Sequence, residues 1–209
     1  MIEWLFFDIG STLVDEGEAL DNFVNHCIDK LAQEGILVSH RYYYEKLLYI
    51  AKLGGNPIYE TWSYFAPSHL KRPRWSHENE RLYPYVTSVL RSLRKKYHLG
   101  IIANQGKDLH GRLERFGILD NFEVIKSSFD SGVSKPDMEI FRLPLEQANI
   151  EPSRSIYIGD RVDNDMVPAK KLGMKTIRMK QGLGQYSPED RFYPSDWQVA
   201  SIQELLEIV

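Results

Sequence analysis

The chain has 209 residues, 43% hydrophobic and 26% charged, enough to bury one core carrying an insertion or a small second unit. A net charge of −3 gives no overall electrostatic footprint for nucleic acid, and no apolar run approaches bilayer-spanning length. One cysteine, Cys27, excludes a disulfide within the chain, and Met1-Ile2-Glu3-Trp4 lacks the basic start of a signal peptide, so the cytoplasm is the expected compartment.

Trp4-Leu5-Phe6-Phe7 is short, apolar and aromatic, and it ends at Asp8-Ile9-Gly10-Ser11-Thr12. That pattern predicts a buried strand running into a polar loop. Leu20, Phe23, Val24, Cys27, Ile28 and Leu31 then recur at three- and four-residue spacing, predicting an amphipathic helix closed by Gly35. Cys27, set among those apolar positions, is expected to be a plain buried thiol. A second helix is expected over about 39–53, before Gly54-Gly55, and a third over 58–65. Tyr42, Tyr43 and Tyr44 are consecutive on a helix, so their rings point in different directions and cannot form one stack. Trp62 and Phe65 are expected in a local core, and Lys71-Arg72-Pro73-Arg74-Trp75 as a solvated loop.

Beyond Tyr83-Pro84 the character changes. Val86, Val89, Leu90 and Leu93 predict a helix whose cationic end, Arg94-Lys95-Lys96, suits a helix C-terminus. Leu99-Gly100-Ile101-Ile102-Ala103 predicts a second buried strand, followed by polar Asn104-Gln105-Gly106. A helix over 109–116, a short strand over 123–125 and a helix over 138–148 follow. A strand over 155–158 then runs into Gly159-Asp160. A helix, a strand over 175–179 and a terminal helix from Ile202 complete the chain, and 182–186 reads as a flexible connector. Strands alternating with helices predict an α/β fold whose parallel sheet is covered on both faces. In such folds sites gather at the carboxyl ends of strands, where this chain places Asp8, Asn104 and Asp160. The early helical stretch interrupts the alternation and reads as an insertion, giving a core of 1–14 and 82–209 with a helical cap of 15–81.

Four segments line up in order: Asp8-Ile9-Gly10-Ser11-Thr12, Ala103-Asn104, Ser134-Lys135-Pro136-Asp137 and Gly159-Asp160-Arg161-Val162-Asp163-Asn164-Asp165. Together they resemble the haloacid dehalogenase (HAD) superfamily over nearly the whole chain, with a type-1 helical cap on a Rossmannoid core. The resemblance implies that Asp8 is a nucleophile forming an aspartyl-phosphate. It implies that Asp8, the Gly10 carbonyl, Asp160 and Asp165 surround Mg²⁺, a cation that favours hard oxygen ligands. It assigns Lys135 to the phosphoryl group and to charge balance; Ser11 and Thr12 are candidates for phosphate binding, Thr12 equally for capping the loop, and Asn104 or a backbone N–H is the candidate substitute beside Ala103. Asp163 is expected to be only a solvated carboxylate at a helix start.

Two family positions are altered. Gly10 stands where HAD phosphatases usually carry a second Asp that protonates the leaving oxygen and later activates water, and Ala103 stands where they usually carry Ser or Thr. General acid–base catalysis is worth roughly 10²–10⁴-fold, so its loss should spare binding and weaken turnover. On this reading Gly10→Asp should raise monoesterase activity unless the pocket has changed shape. The resemblance therefore implies a Mg²⁺-dependent phosphatase of low turnover acting on a small phosphorylated molecule, as a monomer or homodimer, with neither nucleic acid nor membrane as partner. The alternatives are a degenerate phospho-ligand binder and, further off, phosphonatase- or dehalogenase-like chemistry. A phosphonatase would need a cap lysine, for which Lys46 and Lys52 are the candidates by location.

Overall fold

The computed structural model describes residues 1–209. In chain order the elements are β1 (Trp4–Phe7), β2 (Val14–Asp15), α1 (Gly17–Gln33), α2 (His40–Lys52), α3 (Pro57–Phe65), β3 (Arg81–Leu82), α4 (Val86–Leu93) and β4 (His98–Ala103). They continue with α5 (Leu109–Arg115), β5 (Val124–Ser127), α6 (Ser128–Ser131), α7 (Glu139–Gln147), β6 (Ser155–Gly159), α8 (Val167–Leu172), β7 (Lys175–Met179), β8 (Trp197–Val199) and α9 (Leu205–Ile208).

Six strands form one parallel sheet in the order β5-β4-β1-β6-β7-β8. Chain order reverses between β1 and β6, which makes the crevice beyond their carboxyl ends the natural ligand site. The unbroken apolar run of β1 follows from burial on both faces. Leu5 and Phe7 point into one core cluster while Trp4 and Phe6 point into the other. Each such side chain, fully buried, contributes about 1.5–3 kcal/mol relative to exposure.

Helices α1, α2 and α3 share a third apolar cluster of their own, built on Phe23, Cys27, Leu31, Tyr43, Leu47 and Trp62. Cys27 lies fully buried within it, and burial pushes its thiol up to about 11. Ser39 and Asn56 start α2 and α3 by accepting hydrogen bonds from the N–H groups of Tyr42 and Tyr59. The chain leaves and re-enters the parallel sheet through a two-stranded antiparallel ribbon, β2 with β3, which the sequence pattern did not reveal. Strands of two residues carry no readable alternation, and β8, with three residues, was missed for the same reason. No helix is long and apolar enough to cross a membrane.

Candidate active site

β1 ends at Asp8, and the chain turns sharply. The N–H groups of Leu13 and Val14 both donate to the Ile9 carbonyl at 2.9 Å, and Ser11 N–H donates to the Val14 carbonyl at 2.8 Å. Ser11 takes a left-handed φ of 51°, uncommon for a residue with a side chain and of a kind found at functional turns. Asp8 and Ser11 line a cavity of about 660 Å³ between the sheet and the inserted helices, with Glu16, Lys135, Asp160 and Asp165.

Lys135 is buried at the centre. Its Nζ lies 2.8 Å from Asp8 Oδ1 and 2.6 Å from Asp165 Oδ1, and it donates to the Tyr157 hydroxyl at 3.0 Å. All three ammonium protons therefore have an acceptor. Burial alone would pull this ammonium down, but Asp165 and Asp8 hold it above its ordinary value, so it stays charged. The Tyr157 hydroxyl in turn donates to the Ile102 carbonyl at 2.7 Å, fixing the ring from the next strand but one.

Carboxylate oxygens of Asp8, Asp160 and Asp165 lie within 4.8 Å of one another. Burial, with Asp165 and Lys135 acting in opposite directions, lifts Asp8 to about 6. Burial, then Asp165 and Asp8, lifts Asp160 well above the usual carboxylate range. One ammonium does not balance the three carboxylates, and Asp160 accepts no ion pair from it. A hard divalent cation among these oxygens fits the donor set and would relieve that repulsion. Asp165 also anchors protein groups: its Oδ2 accepts the Arg161 N–H at 2.9 Å while its Oδ1 faces Lys135. Asp163 is tied to the Arg161 side chain at 3.0 Å and is exposed, matching its expected place outside the cluster.

Two of the expected phosphate-binding side chains are differently placed. Thr12 is fully buried, its hydroxyl turned away from the cavity and without a partner. The tight turn after Asp8 rotates it inward, which a sequence pattern cannot show. Asn104 lines the cavity, but its amide is committed to the Lys135 backbone. Its Oδ1 accepts the Lys135 N–H at 2.7 Å and its Nδ2 donates to the Lys135 carbonyl at 2.9 Å. Asn104 thus holds the Lys135 backbone in place, and one of its two Nδ2 hydrogens is left without an acceptor in the protein. Ala103 is buried in the core cluster.

The inserted helices give the cavity its far wall. Tyr44 and Trp75 line it, whereas Tyr42 is exposed and Tyr43 is buried. Lys71, Arg72 and Arg74 are exposed, as a solvated loop requires, but Trp75 is drawn in against Phe23, with ring centroids 5.4 Å apart. Lys135 is the one lysine lining the cavity, so neither Lys46 nor Lys52 stands where a Schiff base would be needed.

The segment 182–186 is not a loose connector. Arg178, fully buried, donates to the carbonyls of Gly184 and Ser187, each at 2.7 Å, and Leu183 packs against the cluster of the inserted helices. A Cβ on Gly184 would lie 2.3 Å from Asp160 Oδ2 and 2.8 Å from the Asp160 carbonyl, so only glycine lets this turn close on the carboxylate.

Glu16 went unnoticed in the sequence. A Cβ built on Gly10 would lie 2.4 and 2.6 Å from its two carboxylate oxygens. Burial, then the nearby Glu80 and Asp8, raises Glu16 from 4.5 to about 8. Glu80 is itself buried, accepting from His77 Nδ1 at 2.7 Å and pairing with Arg112, whose other nitrogen donates to Gln105 Oε1 at 2.5 Å.

A family model described as haloacid dehalogenase-like hydrolase matches residues 5–179. The glyceraldehyde 3-phosphate phosphatase of Pyrococcus abyssi is 31% identical over 100% of this chain and 94% of its own length. That of Methanocaldococcus jannaschii is 35% identical over 132 residues, 62% of this chain and 57% of that relative. Among solved structures, a HAD phosphatase from Thermococcus onnurineus superposes with a TM-score of 0.69 at 22% identity, covering 99% of this chain and 97% of that one.

Proposed function

The chain belongs to the haloacid dehalogenase-like hydrolase family, and from that premise we propose that it is a phosphatase acting on a small phosphorylated molecule through Asp8. The observation that carries this reading is the Asp8–Lys135–Asp165 contact, with Asp160 alongside, at the floor of a cavity of about 660 Å³. A carboxylate nucleophile needs its substrate's phosphoryl oxygens neutralised and its own orientation fixed. Lys135 does both, since it holds Asp8 Oδ1 and presents its positive charge beside it. Asn104 and Tyr157 fix Lys135 from backbone and side chain.

We place Mg²⁺ with Asp8, Asp160 and the Gly10 carbonyl, with Asp165 at the edge of the set. When bound, the ion would stabilise negative charge on the transferring phosphoryl group. The inserted helices, as a cap over 15–81, would select the substrate with Tyr44 and Trp75 at the cavity wall. The relatives named for glyceraldehyde 3-phosphate make that compound the first substrate to try, beside acetyl phosphate and para-nitrophenyl phosphate.

Phosphate release from these compounds should depend on added Mg²⁺ and vanish in Asp8→Asn. Undiminished release in that variant would remove Asp8 from the mechanism. A folded wild-type protein that binds Mg²⁺ and a phosphate ester without turnover would instead mark a phospho-ligand binder.

A further inference from the structure

The space that Gly10 leaves empty is filled by another carboxylate. An aspartate's own carboxylate oxygens lie about 2.4 Å from its Cβ by ordinary bond lengths and angles. The oxygens of Glu16 lie 2.4 and 2.6 Å from where a Gly10 Cβ would be, and its carboxylate carbon lies 2.6 Å away. A carboxylate delivered from six residues further along thus overlaps the start of the path that a side chain at position 10 would take, its carbon farther out than the roughly 1.5 Å of a carboxylate bonded to that Cβ. The fold explains the delivery. After the turn at Ser11, β2 runs back over the site, and Glu16 follows it directly at the start of α1. The Glu16 side chain faces the same cavity as Asp8 and accepts a hydrogen bond from Ser11 Oγ at 3.5 Å, its one hydrogen bond within the protein. Both oxygens otherwise remain available to a ligand.

Resting on the phosphatase reading above, we propose that Glu16 is the general acid and base of this site, taking over the work that Gly10 cannot do. In the first half-reaction an Asp8 oxygen attacks phosphorus, the phosphorus–oxygen ester bond breaks, and the Glu16 carboxyl proton passes to the departing alkoxide. In the second, the Glu16 carboxylate takes a proton from water as the water oxygen attacks phosphorus. The bond between phosphorus and Asp8 then breaks, releasing inorganic phosphate and returning both side chains to their starting states. The glycine fits this placement: a side chain at position 10 would have to push the Glu16 carboxylate aside.

The test is a leaving-group comparison. Wild type, Glu16→Gln, Asp8→Asn and the double variant Gly10→Asp/Glu16→Ala are assayed on glyceraldehyde 3-phosphate, an alkyl ester, and on para-nitrophenyl phosphate, whose leaving group needs no proton. Glu16→Gln should lower kcat/KM on the alkyl ester by roughly 10²–10⁴-fold. It should leave kcat/KM on the aryl ester within a few-fold, and release one burst of nitrophenolate per site before slow turnover. The double variant should recover alkyl-ester activity, whereas Gly10→Asp alone should not gain any. An equal loss on both esters, or no loss on either, would overturn the assignment of Glu16 while leaving Asp8 in place. Aryl-ester turnover that survives Asp8→Asn, or is absent from the wild type, would overturn the phosphatase reading and this proposal with it.

Discussion

Single side chains make up the candidate site, and most of those at strand ends were legible. Asp8, Lys135, Asp160 and Asp165 sit in short polar segments that interrupt apolar ones, and the structure brings them together. Asn104 was legible as a position but not as a role, because its two hydrogen bonds run to a backbone 31 residues away. Tyr157 offered one signal, a hydroxyl in an otherwise apolar buried strand, which had to find a partner and found Ile102 and Lys135. Glu16 gave none, since a carboxylate at a helix start is commonplace. Replacing Lys135 by Met would leave Asp8 and Asp165 buried without their cation. The expected cost is about 3–5 kcal/mol in urea unfolding of the metal-free protein, together with loss of phosphatase activity. An unchanged midpoint would mean that the ammonium does not balance these charges.

The raised carboxylates also set a pH dependence. Glu16 moves from 4.5 to about 8, so the folded protein binds this proton more tightly than the unfolded chain does. Stability from this group is therefore present at low pH and is lost as pH rises through that window. Asp8, lifted from 3.8 to about 6, acts with the same sign over its lower window. In metal-free protein the melting temperature of Glu16→Gln should gain on the wild type steadily between about pH 5 and pH 8, because glutamine never ionises. A constant difference across that range would show that Glu16 ionises as it would in water.

Elements place these side chains. The long helices and the apolar strands were readable from periodicity, while the ribbon of β2 and β3 was too short to show any. That ribbon carries the largest functional consequence, since it folds Glu16 back beside Gly10. The turn over Leu183–Tyr186 looked like a connector because glycines flank Leu183 on both sides. In the structure those glycines mark close approach instead, with Gly184 against Asp160 and Arg178 gripping the turn's carbonyls. Gly184→Ala should displace either the turn or the Asp160 carboxylate. Calorimetry should then show weakened Mg²⁺ binding, with little change in far-ultraviolet circular dichroism. Unaltered Mg²⁺ affinity would show that the turn does not support the carboxylate.

At the scale of the molecule, the strand order puts Asp8 and Asp160 on neighbouring strands at the reversal point of the sheet, and the inserted helices close the cavity above them. The α/β layering was legible because strands and helices differ in period, whereas strand order depends on pairings that no single segment encodes. The proposed chemistry turns on Asp8 carrying the phosphoryl group between the two half-reactions. Intact-protein mass spectrometry of Glu16→Gln, acid-quenched soon after mixing with Mg²⁺ and para-nitrophenyl phosphate, tests it most directly. One phosphoryl adduct per chain is expected, located at Asp8 by peptide mapping and absent from the Asp8→Asn variant. Sustained turnover with no adduct, or an adduct on another residue, would contradict it.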